Sequence, residues 1–286
     1  MRKIKQFTSD ESALTSVLKT IPSPPNSLYS IGYLPENRPP CVAIVGTRKP
    51  TTYGREVSYR FAYDLAKAGI CVISGLAFGV DAIAHRGALD ANGTTIAVLA
   101  GGLHRIYPVA HENLAQEIVR SGGALLSEKA PGEDARRYDF LARNRLVSGL
   151  ADIIIVTEAA EKSGTLSTVA HAIEQNKEVF AVPGPITSVM SIGPNRLIQQ
   201  GASPALEARD ILQRLIPNKP TQQHLFPEAK TPLEQTITSL IATGVRDGDE
   251  LLQRSNVDAS QFLQAMTMLE INDIIKPLGG NQWTLQ

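Results

Sequence analysis

Asp139 to Leu150 reads DFLARNRLVSGL, and on a helix at about 100° per residue it sets Ala142, Leu146, Val147 and Leu150 on one apolar stripe. Arg143 falls near the middle of that stripe, Asn144 and Arg145 flank it, and Phe140 stands just upstream, where the spacing starts the helix at Ala142. A guanidinium in a helix's first turn, facing a sheet, calls for an anionic partner, either a carboxylate or a bound phosphate. A ring beside exposed cations offers a platform on which a base can stack, although the commonest fate of an aromatic residue is the core. Arg136, Arg137, Arg143 and Arg145 face only Asp139 over ten positions, the strongest local charge signal in the chain.

Other stretches bear on the same chemistry. VGTRKPTTYG places Gly46, Thr47, Arg48 and Lys49 after an apolar run, a hydroxyl and two cations where open α/β sheets bind ligands. It is not GxGxxG, and the second strand ends in Ser74-Gly75 rather than in an acid for a ribose, so a dinucleotide site loses both its discriminating features. EKSGT puts Lys162, Ser163, Gly164 and Thr165 at the start of a helix, a phosphate cradle by composition and position; a plain N-cap would need neither the lysine nor the glycine. The turns SGLAFG, with Gly75, and AGGLHRIYP are also Gly-rich and able to aim backbone N–H groups at an anion. Asp81 and His85, four apart, read as a capping and hydrogen-bonding pair, because neither a nucleophile nor metal-ligand spacing accompanies them. Several turns and a ring on one edge suit the phosphates and bases of a single strand better than one mononucleotide.

These residues need a frame. Apolar runs at Cys41–Val45, Cys71–Ser74, Thr94–Leu99, Ala124–Leu126, Ile153–Thr157 and Val179–Val182 alternate with helical spacing over Thr52–Ala68, Asp81–Leu89, Ala110–Arg120, Ala142–Leu150 and Leu166–Gln175. Strict alternation predicts an α/β fold, a Rossmann-like doubly wound and mostly parallel sheet, over residues 41–215. Residues 1–40 read as an extended lead-in with one edge strand, Leu28–Ile31; residues 216–231 are proline-rich and read as a linker. Residues 232–286 read as three short helices and a hairpin turning at Gly279-Gly280, the pattern of a small winged helix.

Composition narrows the class. The 28 basic and 28 acidic residues cancel, but residues 216–286 carry 5 basic against 8 acidic. The helix DASQFLQAMTMLEIND has no Lys or Arg, which points that segment toward a protein surface rather than DNA. No run approaches the roughly eighteen apolar residues of a membrane span, and the N-terminus lacks a signal peptide's apolar stretch, so the expectation is a cytoplasmic protein without a membrane partner. Two cysteines, Cys41 and Cys71, are too few for a disulfide framework or a zinc site.

The blocks VAIVGTRKPTTYG, ISGLAFGVDAIAHRGAL, TIAVLAGGLHRIYP, GALLSE, FLARNRLVSGL, EAAEKSGTLST, EVFAVPGP and GPNRLIQQGA resemble, in order over residues 41–203, those of the DNA-processing protein A (DprA/Smf) family. The resemblance implies a dimeric, extended Rossmann core that binds single-stranded DNA entering by natural transformation. It further implies protection of that DNA and loading of RecA onto it, with single-strand-binding protein as a further partner, and neither catalysis nor a cofactor. Matched block by block, the DNA site it implies uses Arg48, Arg137, Phe140, Asn144 and the neighbouring arginines, completed by Lys162–Thr165. Phe78 stands where family members often carry Arg. The EKSGT turn also resembles that of Rossmann-like phosphoribohydrolases acting on nucleoside monophosphates. Their PGGxGTxxE pattern requires an acid three residues after the Thr; here Glu174 lies nine after Thr165.

Overall fold

The computed structural model describes residues 3–216, 231–272 and 274–285. The chain divides into two compact units, Met1–Pro217 and Asn218–Gln286.

The first unit is built on a nine-stranded sheet in the order β1-β2-β6-β5-β4-β3-β7-β8-β9. Its strands are β1 (Lys5–Phe7), β2 (Leu28–Gly32), β3 (Cys41–Val45), β4 (Cys71–Ser74), β5 (Thr95–Val98), β6 (Ala124–Ser127), β7 (Ile153–Val156), β8 (Glu178–Ala181) and β9 (Ser203–Pro204). Pairing is parallel from β6 through β9 and antiparallel at β1–β2 and β2–β6. Between the strands run α1 (Thr52–Lys67), α2 (Val80–Asp90), α3 (Glu112–Arg120), α4 (Arg137–Leu150), α5 (Thr165–Glu174), α6 (Ile192–Gln199) and α7 (Ala208–Leu215).

Both faces of the sheet are covered, which is why its central strands are buried throughout and mostly apolar. Along β3, Cys41, Ala43 and Val45 join the core formed with α4, α5 and α6, while Val42 and Ile44 join the opposite core formed with α1, α2 and α7. Cys41 and Cys71 are both free, buried, and opposite one another in the β3–β4 register. Strand order reverses between β3 and β7, so their carboxyl ends open a crevice that no crossover helix fills.

Two sequence expectations for the first unit need correction. Residues 1–40 are not an extended lead-in. The chain adds β1 outside β2, so Leu28–Gly32 is not an edge, and it folds Leu14, Leu18 and Ile21 into the core beside α4. Helix α4 begins at Arg137, not Ala142, because the Asp139 carboxylate accepts a 2.7 Å hydrogen bond from the Arg136 N–H and closes the first turn early. Phe140 is therefore in the first turn and Arg143 in the second.

The second unit holds α8 (Pro232–Ala242), α9 (Gly248–Ser255), α10 (Ala259–Ile271) and the antiparallel hairpin of β10 (Ile275–Gly279) and β11 (Gln282–Leu285), a winged helix. Its core gathers Ile237, Leu251, Phe262, Met266 and Leu269. The hairpin turn is Gly280-Asn281, not Gly279-Gly280: Gly279 pairs with Gln282, and both turn residues have positive φ, +60° and +61°. Of the expected linker, residues 217–230 lie outside the described residues. Among the described residues no helix is long and apolar enough to cross a membrane.

Candidate nucleic-acid interface

A cavity of about 400 Å³ opens at the β3/β7 crevice. It is lined by Gly46, Thr47, Arg48, Gly75, Phe140, Arg143, Asn144, Lys162, Ser163, Gly164 and Thr165, among others. Lys49, Arg137 and Arg145 do not line it. Three cations, Arg48, Arg143 and Lys162, stand there against one carboxylate, Asp81.

The turn after β3 is held from beneath by Glu158, which is buried just beyond β7. Its carboxylate accepts from the Thr51 N–H at 2.8 Å and the Thr51 hydroxyl at 2.6 Å, and its carbonyl accepts from the Thr47 N–H at 2.7 Å. Gly54 must lack a side chain here, since a Cβ would lie 2.0 Å from Glu158 Oε2. So anchored, the turn projects Arg48 outward, its guanidinium 5.6 Å from the centre of the half-buried Phe140 ring. Tyr107, 57% exposed in the loop after β5, meets the same ring edge-on at 5.5 Å. Tyr107 was missed by sequence reasoning; the IYP aromatic in a Gly-rich loop at the ligand edge was its only signal.

Across the cavity, the N-terminus of α5 presents exposed Lys162 and Gly164. Asn144 ties this end to α4, donating from Nδ2 to the Ser167 hydroxyl at 2.7 Å. The Thr165 N–H is already bonded to the Ser163 hydroxyl at 3.2 Å, so that amide is used within the turn while the dipole and Lys162 face the opening.

Arg143 forms the floor and also has a structural role. It is 5% exposed, and Nη1 donates to the carbonyls of Gly75, at 2.6 Å, and of Val98. The guanidinium thus ties the ends of β4 and β5 to α4 through Nη1. Burial lowers its pKa, the Asp81 charge opposes that drop, and Arg48 adds to it. Asp81 is raised, first by burial, with Arg143 pulling the other way. Gly75 needs correction. Its N–H donates to the protein's own Asp81 Oδ2 at 3.1 Å and is not free for a bound anion, and a Cβ there would lie 2.4 Å from Arg143 Nη1. Arg145 turns to the other side of α4, pairing with Glu128 at 2.6 Å. Arg137 and Lys49 are exposed outside the cavity. The arginine cluster of the sequence is thus dispersed by helical geometry.

Other acids are equally engaged. Glu161 pairs with Arg196 at 2.5 Å, and neither Glu158 nor Glu161 lines the cavity. His85 is buried in α2, with Nδ1 2.7 Å from the Thr95 hydroxyl. That hydroxyl donates to the Val72 carbonyl, so it accepts from the imidazole, and Nε2, buried without a hydrogen-bond partner, is the unprotonated nitrogen. Burial first, then the charges of His111 and Arg143, lower its pKa to about 3. Among the described residues no group of His, Cys, Asp and Glu is placed to hold a metal ion.

Known proteins resemble this chain over both units. Residues 5–216 match the family described as DNA recombination-mediator protein A, and residues 200–281 match the DprA winged helix domain. Protein Smf of Escherichia coli is 35% identical over 265 residues, 90% of this chain and 71% of that protein. DNA processing protein DprA of Bacillus subtilis is 41% identical over 201 residues, 69% of this chain and 67% of that protein. The X-ray structure of DNA processing protein A from Streptococcus pneumoniae superposes with a TM-score of 0.69 at 36% identity, covering 74% of this chain and 75% of that one. The structure of the Helicobacter pylori protein, which concerns its single-stranded DNA binding mode, gives a TM-score of 0.65 at 32% identity, covering 76% of this chain and 97% of that one.

Proposed function

Because the chain belongs to the DNA recombination-mediator protein A family, we propose that it binds single-stranded DNA along the crevice edge, protects it during natural transformation in the cytoplasm, and loads RecA onto it. The observation that carries this reading is Arg48 placed over the half-buried Phe140 ring, with Lys162 and the α5 N-terminus facing them across one cavity. Cations on both sides match a ribose-phosphate backbone, and the ring between them matches a base. Asn144 fixes the distance between the walls, and Arg143 holds the floor. A homodimer carrying two such edges would keep DNA extended with bases open to a recombinase. Single-strand-binding protein is the partner displaced. The activity is binding without cofactor or catalysis, since the acids near the edge are engaged in capping and ion pairs.

The test is titration of the protein against single-stranded DNA coated with single-strand-binding protein while RecA's DNA-dependent ATPase is followed. Stimulation should saturate at a fixed ratio of protein to DNA, and the protein alone should release neither phosphate nor base. Hydrolysis by the purified protein that disappears on changing Glu158 or Glu161 would replace this reading with an enzymatic one.

Within it, ring and cation contribute differently. Arg48→Ala should reduce the slope of log K against log salt by about 0.7, the value for one phosphate contact on a single strand. Phe140→Ala should cost about 1–3 kcal/mol with the slope nearly unchanged. Because Arg48 lies over the ring, the double variant should lose less than the two single losses added. Equal slope losses for both single variants would contradict the division.

A further inference from the structure

We propose that Phe78 and His111 form a second base-stacking platform, on a turn that touches the one bearing Arg48, so that a bound single strand continues past the crevice along the carboxyl ends of β4 and β5. This rests on the reading of the crevice as a single-strand site.

Phe78 is 47% exposed although it is a large apolar side chain on a turn of the ligand edge. Its ring packs edge-on against His111 at 4.8 Å between centres. An ordinary surface aromatic is loosely held, but this one stands on a fixed base. Leu76, two residues before it, is fully buried at φ +57°, a conformation a branched side chain adopts only when its surroundings impose it. The Leu76 carbonyl accepts the Nδ1–H of His111 at 2.8 Å, so the same histidine steadies both the turn and the ring it carries.

The platform is continuous with the crevice through two connections. Gly79, next to Phe78, lies against the Thr47–Arg48 backbone so closely that a Cβ would fall 2.4 Å from the Thr47 carbonyl oxygen. The cation over Phe140 and the ring of Phe78 therefore rise from touching turns. The loop after β5 makes the second connection, since it carries Tyr107 against Phe140 and, four residues on, His111 against Phe78. Two aromatic pairs, each with an exposed ring, and a cation on a turn that touches both supply the rings and charge that a single strand meets with base and phosphate. An apolar protein segment would gain nothing from Arg48 on the adjoining turn, which favours nucleic acid as the occupant.

The experiment uses oligothymidylates of graded length with the full chain. Phe78→Trp, made with Trp283→Phe so that the introduced indole is the only one, should be quenched by long strands and not by the shortest ones the crevice binds. Phe78→Ala should weaken binding of long strands about five-fold or more and leave the shortest unchanged; Phe78→Leu, equally apolar without a π-face, should behave like the alanine variant. Phe140→Ala should weaken binding at every length. If Phe78→Ala matches the wild type at all lengths while Phe140→Ala is impaired, the second platform is wrong and the crevice stands. If Phe140→Ala also matches the wild type, the crevice reading itself fails. Quenching of the indole by RecA but not by DNA would overturn the proposal in favour of a protein contact.

Discussion

Arg143→Ala should destabilise the first unit by about 3–5 kcal/mol, the range for removing one partner from a buried charged network. The side chain is 5% exposed, and its loss leaves the Gly75 and Val98 carbonyls without their donor and the buried Asp81 carboxylate without its nearest cation. It also opens the gap that Gly75 exists to keep, a Cβ there lying 2.4 Å from the guanidinium. In a unit of this size the effect corresponds to a melting temperature lower by roughly 10 °C. Arg143→Lys should recover only part of it, because one ammonium cannot reproduce the fork across two strands. Thermal unfolding should be followed by circular dichroism, since the chain's one tryptophan, Trp283, belongs to the second unit and does not report on the first. A variant that melts like the wild type but shows a shallower salt dependence of DNA binding would mean that Arg143 meets a phosphate after all.

Acid should weaken the same unit through His85. Its pKa in the folded chain is about 3, against about 6.5 for an unperturbed imidazole. The unfolded chain therefore binds the proton first as pH falls. The stability His85 contributes is complete above pH ~6.5 and is lost progressively from there down to pH ~3, with a slope approaching about 1.4 kcal/mol per pH unit and a total of roughly 4–5 kcal/mol. Asp81, raised by burial, acts with the opposite sign: its contribution is present at low pH and lost as pH rises through its folded value. A direct comparison removes that contribution. Urea unfolding of the wild type and His85→Gln between pH 7.5 and 4.5 should show the variant's stability falling less steeply, by up to one proton's worth of slope. Parallel pH profiles would show that the imidazole gains a proton without unfolding.

The elements were legible in the sequence because their causes are local. Apolar runs such as IIIV must lie in strands covered on both faces, and the alternation with helical spacing leaves the doubly wound sheet as the arrangement that buries them all. The end of the sheet that carries the candidate site followed too, since the Gly-rich turns and EKSGT each lie between the end of a strand and the next helix. Eleven of the fourteen expected site residues line one cavity because of that. The strand order, with β3 and β7 adjacent, is a property of nonlocal pairing and comes from the tertiary structure.

Which way a long side chain points was decided only by packing. Arg143 and Arg145 are two residues apart with the same chemistry, yet one goes down onto the carbonyls of β4 and β5 and the other turns to Glu128. Their positions on α4 differ by about 200°, so only one of them can face the sheet. The N-terminal residues joined the sheet because β6 offered an open edge, a fact about a strand nearly a hundred residues away. Phe140 has its neighbours because Arg48 and Tyr107, from two different strand-ends, close on the same ring. Backbone pattern is a property of neighbours in the chain, whereas the partners of a guanidinium or an aromatic ring are neighbours in space.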